Sequence, residues 1–193
     1  MQSFETVTPA ATPPVSTATL KAHLRLNDST EDTLLAEWVL AASDLFTRAT
    51  GYVLISTGFR LNLDAFPSTG TIFIPRRPVS AVASVEYLDN NASWQTLAGT
   101  TTDLSSTPAR VILPSSLPAV HTTRVPTVRV NFTAGHANAA ACPPLALVAV
   151  KLLASHWYAH REAFGEAALS DIPQGWRDLC NRFDLGIRGT WNE

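Results

Sequence analysis

Hydrophobic positions change their period twice along this chain. Leu34, Leu35, Trp38, Val39, Ala42, Leu45, Phe46 and Ala49 recur at helical spacing, with Glu37, Asp44 and Arg48 on the opposite side. That is one apolar stripe facing a core over residues 30–50, with Ser29 or Thr30 as the expected N-cap and Gly51 as the stop. From Phe59 the period falls to two: Phe59, Leu61 and Leu63 alternate with Arg60, Asn62 and Asp64, the mark of a half-buried strand. Ile72–Ile74, Val82–Leu88, Arg110–Leu113 and Val128–Phe132 read as further strands. Asp89-Asn90-Asn91 suits a hairpin turn whose return is Trp94–Leu97. Residues 98–124 carry little pattern and much Ser, Thr and Pro, so most of that stretch is expected to be loop.

Helical pattern returns after Pro143 and Pro144. The run from Leu145 to Ala154 is apolar on nearly every side apart from Lys151, and ends in the polar stretch from Ser155 to Glu162. A helix of that kind is covered all round, by its own domain or by a neighbouring copy. Its place between the capped helix at 30–50 and the strands assigns it to the private core, with the end from His156 to Glu162 left for a neighbour. At the N-terminal side, Ser16 reads as an N-cap, with Val15 and Leu20 placed as a hydrophobic staple. Pro9, Pro13 and Pro14 make residues 1–14 an extended arm, ordered only where something holds it. Asp171 to Gly175 reads as a linker, Trp176 to Leu185 as a short helix, and residues 186–193 as a flexible tail. The expected fold is a single α+β domain over 1–193. It has a small helical bundle (about 16–26, 30–50, 143–163 and 175–185) and a β-rich insertion at about 58–135.

Charge and composition narrow the function. The net charge is −2, and residues 51–142 carry 6 basic and 4 acidic side chains against 3 and 6 in residues 1–50. A general nucleic-acid binder would carry a basic excess. Charged residues make up only 16% of the chain, below the roughly 25% of typical domains, which points to surface covered by partners. Cys142 and Cys180 are too few for a disulfide framework and read as buried thiols. No secretion signal is visible, and the apolar run is too short to span a bilayer.

Candidate chemistry is sparse. There is no phosphate-binding glycine loop, nucleophile elbow or Cys-x-x-Cys pair. His156 and His160, four apart on a helix, could share a metal with Glu162 or Asp171, but Trp157 stands where a zinc protease has its general base. A small metal-dependent hydrolase is therefore the rival of another class, and the pair reads first as the polar end of a buried helix. His136 reads as a turn residue. Arg76-Arg77, between prolines, reads as an exposed pair on a turn that grips an acidic patch of a neighbour. Trp176 and Trp191 sit in a weakly structured region, where Trp is a favoured interface anchor.

The order of these features resembles a known family. The series is Pro14-Val15-Ser16, Leu20 to Leu26, Glu31-Asp32 with Leu34-Leu35, Ala41-Ala42 through Gly51, Phe66-Pro67, and Ile74-Pro75-Arg76-Arg77-Pro78-Val79. It continues through Val82 to Asp89, Val128 to Gly135, and Pro143-Pro144 leading to His156-Trp157-Tyr158 and Arg161-Glu162. It resembles the phage head–tail connector (adaptor) proteins, in particular the gp6-like and gp8-like groups, from about residue 8 to about residue 185. The resemblance implies a structural protein of the virion neck, made in the host cytoplasm, with no catalytic residue, metal or cofactor and no membrane contact. It implies a homo-oligomeric ring, commonly of twelve copies, beneath the portal protein. The ring joins the capsid to a stopper, head-completion or tail protein and lines a channel that DNA crosses without sequence-specific binding until ejection. A stopper or tail-completion protein of the same neck is the near alternative. In related adaptors the C-terminal segment docks onto the portal, which makes Trp176, Arg182, Phe183, Arg188 and Trp191 the portal-contact candidates. Arg76, Arg77, His160, Arg161 and Glu162 are the candidates between subunits.

Overall fold

Ser16 caps a helix as its chemistry predicts. In the computed structural model, which describes residues 2–160 and 173–184, its Oγ accepts the Thr19 N–H at 3.2 Å. Such a cap stabilises by about 1 kcal/mol. Val15 and Leu20, at 4% and 0% exposure, are both in the core beneath it. This first helix, α1 (Thr17–Leu24), is shorter than the expected 16–26, because Arg25 turns left-handed with φ 60° and ends it. The second, α2 (Asp32–Thr50), closes on Gly51 at φ 72° as expected. Its N-cap corrects the sequence: Glu31 stands there with no side-chain cap hydrogen bond. Ser29 and Thr30 lie before it, the Thr30 N–H being held by Asp28 Oδ1 at 3.1 Å. The third, α3 (Pro144–Ala159), carries Pro144 in its first turn, where a missing N–H costs nothing. The fourth, α4 (Gln174–Phe183), is a short helix that buries Trp176 and Cys180. The part of the expected 143–163 helix beyond residue 160 lies outside the described residues.

These helices form one of two compact units, built from Ala11–Ile55 and the described part of His136–Asp184. Its core joins Leu20, Leu35, Val39, Ala42, Phe46, Ala146, Ala149, Val150, Leu153, Ala154, Trp176 and Cys180. Alanines at three buried α3 positions let α2 and α3 come close, and the aromatic rings fill the ends. Phe46 meets Phe183 edge-on at 5.5 Å, and Trp38 meets Tyr158 at 5.7 Å. Tyr158 also donates from its hydroxyl to Glu31 at 2.9 Å. Fully buried side chains such as Phe46 and Leu153 each contribute about 1.5–3 kcal/mol in burial.

The other unit holds the strands, in residues 2–10 and 56–135. They are β1 (Gln2–Thr8), β2 (Thr57–Leu63), β3 (Thr71–Ile74), β4 (Val79–Leu88), β5 (Trp94–Thr96), β6 (Thr101–Asp103), β7 (Ala109–Ile112) and β8 (Val128–Ala134). One sheet has the order β1-β2-β8-β4-β5 and a second has the order β3-β7-β6, antiparallel throughout. Strict alternation buries Phe59, Leu61 and Leu63 on β2 and Val128, Val130, Phe132 and Ala134 on β8. Two strands escape the sequence pattern. Residues 2–8, within the expected arm, are a strand held by β2 from Gln2↔Leu63 to Thr8↔Gly58. Thr101–Asp103, within the expected loop, pairs with β7. Helices and antiparallel sheets segregated in this way make an α+β fold.

Candidate interaction surfaces

The two faces of α3 differ. Ala146, Ala149, Val150, Leu153 and Ala154 are buried. Round the other side, Leu145 is 48% and Val148 36% exposed, with Leu152 half-buried and Ser155 beyond it. The apolar run is thus private core on one flank only, and its other flank meets solvent. The sequence could not separate the flanks, because both are apolar. A second exposed leucine, Leu40 at 56%, stands on α2 beside the exposed residues Glu37, Ala41 and Asp44.

The polar end of α3 carries His156 and His160. Their rings lie 4.5 Å apart, and His160 Nδ1 is 3.0 Å from the His156 carbonyl oxygen, so the pair caps the helix end. Among the described residues no group of three or more His, Cys, Asp or Glu could hold a metal ion. Arg161, Glu162 and Asp171 lie outside the described residues. His136 is a half-buried turn residue, its Nε2 2.8 Å from the Tyr52 hydroxyl and its N–H on the Leu54 carbonyl at 3.0 Å. Burial lowers its pKa. The two thiols are buried, as expected. Burial and the neighbouring Asp184 charge push Cys180 up to about 12, which holds it in the unreactive thiol form.

Arg76 and Arg77 correct the sequence reading. Neither is an exposed side chain; both are half-buried. The Arg76 guanidinium lies 4.5 Å above the Phe4 ring, and its Nη1 donates to the Pro75 carbonyl at 2.9 Å. The partner comes from β1, some seventy residues earlier in the chain, so no local pattern could reveal it. Trp176 and Phe183 are likewise engaged within their own unit. Trp176 is 4% exposed in the core, and Phe183 packs edge-on against Phe46 and Tyr52. On α4 the residues facing solvent are Gln174, Gly175, Arg177, Asp178, Asn181 and Arg182. Arg188 and Trp191 lie outside the described residues.

A polar ladder, missed at the sequence level, crosses one face of the larger sheet. Glu5 Oε2 accepts from Arg60 Nη1 at 3.2 Å, and Arg60 Nε donates to Asn131 Oδ1 at 3.0 Å. Asn131 Nδ2 donates to both Ser84 Oγ and Glu86 Oε1 at 2.9 Å. Glu86 pairs with Arg129, whose guanidinium lies 4.0 Å above the Trp94 ring. Burial works to raise the Glu86 pKa, but the Ser84 hydrogen bond and the Arg129 charge outweigh it and hold the carboxyl below its ordinary value. Arg60 and Asn131 occupy the alternates that β2 and β8 turn away from their buried residues, which is the signal that was available.

Solved structures carry the same fold. The chain is 28% identical to a chain in the neck of an empty gene transfer agent particle computed with C6 symmetry, covering 94% of this chain and 95% of that one, with a TM-score of 0.79. A chain in the virion of a native gene transfer agent particle matches at 28% identity and TM-score 0.77, over 94% of each chain. A chain in the neck of a native particle computed with C12 symmetry matches at 28% identity and TM-score 0.76, again over 94% of each. The likeness spans both units. No protein-family model and no curated protein matches. No helix among the described residues is long and apolar enough to cross a membrane.

Proposed function

We propose that this chain is a structural neck protein of a phage-like particle and, within the neck, the head–tail adaptor. The carrying observation is a likeness at TM-scores of 0.76 to 0.79, covering 94% of the chain, to chains from gene transfer agent particles, two of them described as necks. The adaptor reading, of the gp6-like or gp8-like kind, adds a ring of twelve copies under the portal protein, a stopper or tail protein below it, and a channel for DNA. Support for twelve over six comes from the neighbour in a neck computed with C12 symmetry. The C6 symmetry of the other neck is a subgroup of C12, so twelve copies satisfy both. A role in structure rather than catalysis fits a His156–His160 pair that caps a helix end.

Portal contact through the C-terminal stretch takes a revised form in this reading. Trp176 and Phe183 fasten α4 to the bundle, and Arg182, exposed on α4, presents charge to the portal together with Arg188 and Trp191 in the tail. The test mixes the purified chain with the portal assembly of the same particle and images the product by electron microscopy. A twelvefold ring seated on the portal is expected. A chain that ignores the portal and seats only at the tail-proximal end of the neck would instead be a stopper or tail-completion protein.

A further inference from the structure

Leu145 and Val148 on α3 and Leu40 on α2 are three of the seven large hydrophobic side chains exposed among the described residues. They form two patches on two helices that pack against each other. Leu145, Val148 and Leu152 are spaced i, i+3, i+7 and share one flank of α3. Leu40 and Ala41 lie on the exposed flank of α2, between Glu37 and Asp44. Each patch is turned away from the core its helix shares with the other, where Leu35, Val39, Ala42 and Phe46 meet Ala146, Ala149, Val150 and Leu153. One chain therefore carries two different apolar patches facing apart.

Charge distinguishes the patches. Lys151 follows Val148 by three residues, and Glu37 precedes Leu40 by three. Neither has a hydrogen-bond or ion-pair partner among the described residues. Asp44 is already matched by Arg48 at 2.7 Å, which leaves Glu37 as the carboxylate of its patch without a partner among the described residues. With α3 of one copy laid antiparallel on α2 of the next, Val148 falls on Leu40 and Lys151 beside Glu37. The step from apolar to charged residue is about 4.5 Å along both axes.

We infer that α3 of one copy docks through Leu145, Val148 and Lys151 on the Glu37–Leu40–Ala41 flank of α2 in the next copy. This rests on the neck-ring reading above and names the surface it uses. The contact is heterologous, and a repeat of it closes into a ring when the rotation per copy divides the full turn with no rise.

Disulfide trapping tests the docking on the full chain. The native Cys142 and Cys180 are buried, so the unaltered protein is the blank. One chain carries both Leu40→Cys and Val148→Cys, and two further chains carry one each. Under mild oxidation the double variant should give a ladder of dimers, trimers and higher species on a denaturing gel. A mixture of the two single variants should stop at dimers, and each single variant alone should stay monomeric. Lys151→Glu or Glu37→Lys should weaken self-association roughly two- to fivefold, and the two together should restore it. Dimers from one single variant alone would show a symmetric contact and overturn the proposal. So would a double variant that gives no ladder, or one that closes a disulfide within its own chain because another segment of the protein covers the patch. Electron microscopy of particles reports separately on the neck reading. A chain present in the neck without a ladder removes this interface alone, and a chain absent from the neck removes the ring reading itself.

Discussion

The two units solve the problem of a stable interior in different ways. The helical unit draws on residues separated by the whole strand region and joins them through apolar contact: Phe46, Leu153 and Trp176 come from three helices into one core. The β unit also buries its alternates, but it ties the exposed face of its larger sheet with a ladder from Glu5 through Arg60, Asn131 and Glu86 to Arg129. Burial of hydrocarbon does not titrate and is not subject to charge screening, whereas ion pairs at 16–27% side-chain exposure, such as Glu86–Arg129 and the Arg60 end of its pair, respond to protons and are screened by salt. The difference teaches that charge is linked into a continuous ladder in the β unit, whereas the helical unit carries separate pairs, Lys21–Asp32 at 2.9 Å and Asp44–Arg48 at 2.7 Å, beside its apolar core.

The strongest way to break that comparison is to empty the helical core. Phe46→Ala should cost about 3–5 kcal/mol, with Trp176→Ala in the same range, read as a fall in the urea midpoint at constant slope. Trp176→Phe should cost far less, because the buried indole N–H has no hydrogen-bond partner among the described residues. A Trp176→Ala chain of unchanged stability would place that side chain back among the partner contacts.

Next in size is the ladder. Glu86→Gln leaves Arg129 half-buried without its carboxylate and should cost about 1–2 kcal/mol. Because the folded Glu86 pKa is held below the ordinary 4.5, its contribution is present above that value and is lost as the pH falls through the lower folded one. Unfolding followed from pH 7 downward should therefore show a smaller acid loss in Glu86→Gln than in the parent. An equal loss in both would move the acid sensitivity elsewhere. Ser16→Ala should cost about 1 kcal/mol, checked by thermal unfolding. Arg48→Ala should cost less than about 0.5 kcal/mol, since both side chains of the Asp44–Arg48 pair are largely exposed; a larger value would mean that charge on the outer flank of α2 matters to the monomer.

What could be read in advance follows the same division. Long helices with one apolar stripe and strands with clean alternation, such as α2, β2 and β8, were visible because one periodicity served one core. β1 was hidden because Gln2–Thr8 holds only Phe4 and Val7 as large apolar residues and leaves most of its side chains exposed. Backbone pairing to β2, rather than burial, makes it a strand. β6 is three residues of Thr and Asp, defined only by its partner. At the candidate surfaces, Trp176 looked like an anchor for a partner because it sits in a weakly structured stretch of sequence, yet Trp176, Cys180 and Phe183 return every three or four residues to one side of α4 and pack into the helical unit. Arg76 looked exposed because the ring that covers it belongs to β1. The uncovered flank of α3 escaped notice because an apolar sequence does not reveal which of its sides is in use.

The chain order of the helical unit has a consequence for synthesis. α1 and α2 leave the ribosome early, but the residues that cover their apolar faces belong to α3 and α4, beyond residue 143. At cellular elongation rates of about 5–20 residues per second, those faces wait on the order of ten seconds, while the strands from 57 to 134 emerge as one uninterrupted block with nearly all their partners at hand. A nascent chain arrested soon after Gly135 has cleared the exit tunnel should resist protease across β2 to β8 and be cut within 17–50. During that interval the unfinished helices expose surface that a holding chaperone can bind, and the sheet that interrupts them is expected to mature first.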